Sequence, residues 1–156
     1  MKTILIFTLL FGVLSCGKTK NSSGLERSQE AITQSEYMEI LNSHRQRLGL
    51  KPLIYSYIIE PVAYEHSDDM AKKNTSFGHN GWRARCRKIT DELRGNACSE
   101  IVAMGQKTPQ AVFDAWYKSS SHRTSLENPR YTHTGLGFVK NSKGVIYWTQ
   151  LFLEVQ

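Results

Sequence analysis

The sequence lacks several features by which whole classes of protein are recognised. Its longest apolar run, from Ile4 to Leu14, is too short to cross a bilayer as a helix. The formal net charge is +6, but the basic residues form no stripe interleaved with aromatic side chains, so we predict no nucleic-acid partner. There is no internal repeat, and no His-Glu-x-x-His motif of the kind that holds zinc on a helix.

What is present suits one globular domain. Apolar residues make up 40% of the 156 residues and charged residues 22%, which is close to the average for folded proteins. A chain of this length can form a single core, so we expect the mature part to be folded. We interpret the basic balance as a solvated surface, the alternative being attraction to anionic headgroups or acidic polymers.

The N-terminus has the pattern of an export signal. Met1 and Lys2 place positive charge before the apolar run, as in a signal peptide. The segment 13–16, Val-Leu-Ser-Cys, resembles the lipobox of bacterial lipoproteins, in which cleavage occurs just before a cysteine that then receives acyl chains. This resemblance implies a signal peptide over residues 1–15 and a membrane anchor at Cys16 on the cell envelope. The alternative is ordinary secretion.

After the anchor, a tether and three helices are predicted. The small and polar residues that begin the stretch 16–34 indicate a flexible tether. Apolar residues at helical spacing predict a first helix that begins after Ser35 and ends at Gly49. A second helix is expected to begin near Ile58, and a third at Thr108, which is followed by a proline suited to a first helical turn.

The other segments predict loops and strands. The polar and basic stretch from Trp82 to Gly95 is interpreted as a long surface loop anchored by a cysteine, and Cys98 to Val102 as a short strand. His133 to Lys140 and Val145 to Val155 are rich in apolar residues and flank a turn, which predicts a hairpin. Helices followed by a hairpin indicate an α+β domain.

Two cysteines remain for the folded part, Cys86 and Cys98. Because an exported chain meets an oxidising environment, we expect them to form a disulfide. The alternative is a pair of separate thiols.

Several segments, taken in order, resemble CAP domains, the family of cysteine-rich secretory proteins, antigen 5 allergens and plant pathogenesis-related proteins of class 1. The matching segments are Gly49-Leu50-Lys51-Pro52-Leu53, Phe77-Gly78-His79, Ser99-Glu100-Ile101, Trp116, Ser121-His122-Arg123, Asn128-Pro129 and Tyr147-Trp148-Thr149-Gln150. The resemblance covers residues 36–153. It implies that residues 35–156 form a three-layer α-β-α sandwich with a central antiparallel sheet.

The resemblance also implies a cleft. Its two facing histidines correspond to His79 and His122, and one of its two acidic residues corresponds to Glu100. The second acidic position falls on Ser119, which has no charge. Two imidazoles and a carboxylate form a ligand set that suits zinc or another divalent cation, so His79 and His122 are the predicted metal ligands.

Three functions are consistent with this cleft. The first is a non-enzymatic binding module for a lipid, sterol or peptide, which is the function that we favour from the resemblance. The second is a peptidase-like hydrolase in which His79, Glu100 or His122 acts as an acid or base, with the role of each unassigned. The third is a structural envelope protein with a vestigial cleft, which the serine at position 119 favours.

Overall fold

The computed structural model of the chain describes the backbone of residues 22–156 and the side chains from Ser28 onward. The predicted signal peptide (1–15) and the predicted lipidation site Cys16 lie outside the described residues. The elements are α1 (Ser22–Arg47), β1 (Ile54–Tyr55), α2 (Ile59–Lys72), α3 (Trp82–Leu93), β2 (Gly95–Met104), α4 (Pro109–Lys118), α5 (Ser120–Leu126), β3 (His133–Lys140) and β4 (Ile146–Val155). Among the helices within residues 22–156, none combines the length and apolarity needed to cross a membrane.

The four strands form one sheet in the order β1-β3-β4-β2. The predicted hairpin is confirmed, because β3 and β4 pair antiparallel, and β2 pairs antiparallel with the other edge of β4. The two-residue strand β1 differs from the expected antiparallel pattern, since it runs parallel to β3. Parallel neighbours need a long crossover, which the chain from α2 to α5 provides.

The central strand β4 explains the three layers. Its side chains alternate between the two faces of the sheet. Trp148 and Phe152 pack in a core with residues of α1, α4 and α5. Leu151 and Leu153 pack on the opposite face with residues of α2 and α3. Helices therefore cover both faces of the sheet, and the predicted α-β-α sandwich is confirmed.

Two predicted helices begin close to where the sequence placed them. In α4, Thr108 Oγ1 accepts a hydrogen bond from Ala111 N at 3.2 Å, and Pro109 is the first helical residue, as expected. Helix α2 packs closely on β3, because a Cβ atom at Gly137 would overlap the backbone of Ala63 and Tyr64. This close approach holds α2 over the sheet beside the candidate site.

The predicted beginning of the first helix is wrong. Helix α1 begins at Ser22 rather than after Ser35, so residues 22–34 of the predicted tether are helical. The added turns are held by polar contacts, such as the 3.0 Å hydrogen bond from Gln34 Nε2 to Glu60 Oε1. Apolar periodicity did not reveal them, and among residues 28–34, whose side chains are described, none is buried.

The predicted surface loop from Trp82 to Gly95 is also wrong. Residues Trp82–Leu93 form α3, and the strand predicted at Cys98 is longer, running over β2. Only Cys86 and Ile89 are buried in α3, at a spacing of three, while most of its other side chains are exposed. Such a narrow apolar face gives a weak helical pattern in a basic and polar sequence.

Candidate functional site

Glu100 is the centre of the candidate site. It lies on β2, and its side chain is only 1% exposed. Arg85 Nε donates a hydrogen bond to Glu100 Oε2 at 2.6 Å, and Arg85 Nη2 donates to Oε1 at 2.9 Å. His79 Nδ1 lies 3.0 Å from the same Oε1, within hydrogen-bond distance. Both carboxylate oxygens are therefore engaged by groups of the protein itself.

Arg85 is a site residue that the sequence analysis missed. It lies on α3 directly before Cys86, and Cys86 is joined by a disulfide to Cys98, two residues before Glu100. The predicted disulfide is thus confirmed, and it fastens the helix that carries the guanidinium to the strand that carries the carboxylate. This adjacency was the signal available in the sequence, but it has meaning only once α3 is known to be a helix.

His66 is a second residue missed as part of the site. It lies on α2, is 2% exposed, and its Nε2 donates to the carbonyl oxygen of Gly78 at 2.8 Å. The same nitrogen lies 3.9 Å from Glu100 Oε1. Burial lowers the pKa of His66, so its imidazole is held neutral. His66 thereby anchors the turn that presents His79, whose side chain is 46% exposed.

The two remaining predicted site residues come from the segment that joins and begins α5. His122 is on α5, and its pKa is lowered first by burial and then by the neighbouring His79. This interaction brings the two predicted histidines into one electrostatic environment. Ser119 lies between α4 and α5, and its Oγ is 3.1 Å from Ser121 Oγ. Its hydroxyl therefore contacts another serine rather than an imidazole.

An open cavity of about 430 Å³ borders Glu100. Its lining comes from the turn before α3, from α3, β2 and α5, and from the segment after α5, and it includes His79, Trp82 and Ser99. Among the described residues, the lining does not include Ser119 or His122. The volume falls in the range of small-molecule sites.

The contacts of Glu100 bear on the predicted zinc site. Within residues 28–156, no group of three or more His, Cys, Asp or Glu side chains is placed to hold a metal ion. The oxygens of Glu100 that a cation needs already accept hydrogen bonds from Arg85, whose positive charge repels a cation. The present arrangement does not fit a bound divalent cation, and zinc binding by His79 and His122 stays an unsupported prediction.

Comparison with known proteins identifies the family. The model of CAP, the cysteine-rich secretory protein family, matches residues 38–152. The chain belongs to the CAP family. The Bacillus subtilis protein YkwD is 32% identical over 142 residues, which cover 87% of this chain and 52% of YkwD. The Bacillus subtilis membrane protein YlbC is 27% identical over 130 residues, covering 80% of this chain and 35% of YlbC.

The chain thus spans about half of the length of YkwD and about a third of that of YlbC. Solved structures show the same CAP fold. An outer surface protein of Borrelia burgdorferi has a TM-score of 0.66 at 23% identity, over 78% of this chain and 92% of that one. An extracellular protein of Bacillus anthracis with an SCP domain has a TM-score of 0.67 at 23% identity, over 78% and 40%.

Proposed function

We propose that this CAP domain is a non-enzymatic binding module, exported by residues 1–15 and held outside a membrane by a lipid at Cys16. The observation that carries the proposal is that Glu100 is paired with other side chains of the protein and lies beside an open cavity. Its carboxylate is occupied by Arg85 and His79, while the cavity next to it is accessible. A site built in this way offers contacts to a ligand but no unpaired carboxylate for chemistry.

Export is supported by the similar proteins. One is named as an outer surface protein and another as an extracellular protein. The confirmed disulfide between Cys86 and Cys98 is the kind of bond that persists in an oxidising compartment. These observations favour a position outside the cytoplasm for the folded part of this chain.

One observation favours the second candidate, a hydrolase. The contact from His79 Nδ1 to Glu100 Oε1 resembles the carboxylate–histidine pair that orients a general base. Such a base needs a nucleophile within hydrogen-bond distance. The nearby hydroxyls of Ser99 and Ser125 lie 2.7 Å from each other and bond as a pair. The carboxylate is also neutralised by Arg85, which weakens its support of a protonated imidazole.

The experiment compares binding with turnover in the full chain. NMR titrations with soluble peptides, a short-chain lipid and a sterol sulfate are run beside a panel of ester and peptide substrates. The proposal predicts saturable shifts at His79 and Trp82 for at least one compound, with no turnover above that of His79→Gln. Turnover that His79→Gln abolishes would establish the hydrolase instead. If no compound of any class shifts these resonances, the vestigial-cleft hypothesis is favoured.

A further inference from the structure

The cavity beside Glu100 has a wall of neutral hydroxyl and amide groups. Ser99 on β2 and Ser125 on α5 place their hydroxyl oxygens 2.7 Å apart. Tyr131 and Asn128, from the segment after α5, complete this wall. All four residues line the cavity. This neutral cluster has no part in the pairing of Glu100, so it needs an explanation of its own.

The charges around the cavity cancel. The Glu100 carboxylate is paired with the Arg85 guanidinium, so the pair presents little net charge to a ligand. A cation would meet a guanidinium, and an anion would meet a carboxylate. The cavity is therefore suited to an uncharged ligand.

The wall contains both hydrogen-bond donors and acceptors. Asn128 Oδ1 accepts a hydrogen bond from Arg130 N at 3.0 Å. The Nδ2 group of Asn128 takes no part in that contact and can act as a donor. Thr124 Oγ1 donates to the carbonyl of Ser120 at 3.0 Å, so its lone pairs remain as acceptors. A serine hydroxyl can act as a hydrogen-bond donor or as an acceptor. A ligand that fits this mixed set must itself carry groups that both donate and accept, as sugar hydroxyls do.

An aromatic side chain borders the same cavity. Trp82 is the first residue of α3, is 39% exposed and contributes to the lining. Tryptophan combines a large apolar face with a polar edge, which suits a ligand with one apolar face and many hydroxyls. The opposite wall is held rigidly, because the buried Arg45 donates to the carbonyl oxygens of Leu126 at 2.7 Å and Asn128 at 3.1 Å. Preformed walls reduce the entropy lost on binding.

We propose that this cavity binds a neutral saccharide, with one sugar ring against Trp82 and its hydroxyls bonded to Ser99, Ser125 and Asn128. The inference rests on the proposed binding function and names its ligand class. A sterol or fatty acid would bury the hydroxyl wall without hydrogen bonds, which costs free energy for each unpaired group. A hydroxylated ring satisfies the same groups.

The test is an NMR titration of the full chain with maltotriose, cellotriose and N-acetylchitotriose. Binding of at least one of these sugars should saturate at millimolar concentration and shift the NMR resonances of Trp82 and Ser125. Trp82→Ala and Ser125→Ala should each weaken binding about tenfold, the effect of losing roughly 1.4 kcal/mol of contact free energy. Tyr57→Ala is the matched control, because Tyr57 is an exposed aromatic residue outside the cavity lining. It should leave affinity unchanged.

Three results would contradict the proposal of a saccharide ligand. They are a titration that saturates with none of the sugars, an equal loss of affinity in Tyr57→Ala and Trp82→Ala, and shifts of the Trp82 resonance that only peptides produce. The last result would leave the binding module intact and replace only its ligand class. Turnover that depends on His79 would instead overturn the module itself, so the two failures are distinguishable.

Discussion

At the scale of single residues, Glu100 and His79 were predictable but their arrangement was not. Both lie in segments that resemble CAP motifs, and they are in contact at 3.0 Å. Arg85 was missed because a guanidinium can be assigned to a carboxylate fifteen residues away only when the intervening structure is known. That one residue changes the chemistry expected of the site from cation binding to a closed ion pair.

The ion pair yields a stability prediction. Arg85→Met should lower the free energy of unfolding by about 3–5 kcal/mol, because it leaves a buried carboxylate without its partner. Urea denaturation measures the loss, with Arg83→Met as the control, since Arg83 lies exposed on the same helix. The double variant Arg85→Met/Glu100→Gln should recover part of the loss. Equal costs for Arg85→Met and Arg83→Met would show that the pair contributes nothing.

His66 yields a pH prediction. Burial lowers its pKa in the folded chain, so on acidification the unfolded chain takes up a proton at about pH 6.5 before the folded chain does. Stability is therefore complete above that pH and falls as the pH drops towards the lower, folded pKa. The pKa values of His122 and His133 are also lowered, first by burial, and their contributions have the same sign.

Urea denaturation at several values between about pH 7.5 and 5.5, on both sides of the ordinary histidine pKa of about 6.5, measures the slope of unfolding free energy against pH. In His66→Gln, which retains a donor for the Gly78 carbonyl, the slope should be shallower than in the natural chain. His133→Gln is the comparison, because His133 lies on β3 outside the cleft lining and is less buried than His66. An unchanged slope in His66→Gln would remove this histidine as a source of the pH dependence.

At the scale of elements, local signals decided which predictions succeeded. Helix α4 has its cap and its proline in adjacent positions, and the β3–β4 hairpin has a turn between two apolar strands. Both signals lie within a few residues. The beginning of α1 and the whole of α3 were not predicted, because the packing of these segments depends on distant partners. In the unpredicted part of α1, Gln34 hydrogen-bonds to Glu60 on α2, and α3 buries a narrow face against the sheet.

The disulfide joins α3, which the sequence did not predict, to the strand that carries Glu100. Cys86→Ala/Cys98→Ala should lower the free energy of unfolding by about 3 kcal/mol, since the bond closes a short loop of the unfolded chain. Hydrogen exchange should increase most in α3, because Cys86 is one of the two residues that this helix buries. Cys16→Ala serves as a control that leaves both cysteines of the bond in place. Uniform exchange across the sheet and α3 would contradict a local role.

At the scale of the whole molecule, the early start of α1 limits how far the domain can lie from an anchor. If Cys16 is acylated, the five residues 17–21 connect it to Ser22, which allows a reach of about 20 Å from Cys16 to Ser22 at full extension. The anchored chain would lack Lys2, which leaves with the signal peptide, and its remaining net positive charge would lie close to lipid headgroups.

The anchor itself is tested by labelled palmitate in a bacterial host that processes lipoproteins. The natural chain should incorporate label and fractionate with membranes, because each buried CH₂ of an acyl chain contributes about 0.8 kcal/mol. Cys16→Ala should incorporate none and move to the soluble fraction. Cys86→Ala is the matched control, since it removes a different cysteine and should keep the label. Label that persists in Cys16→Ala would exclude this cysteine as the acceptor, and the start of α1 at Ser22 would then set no limit on the distance to a membrane.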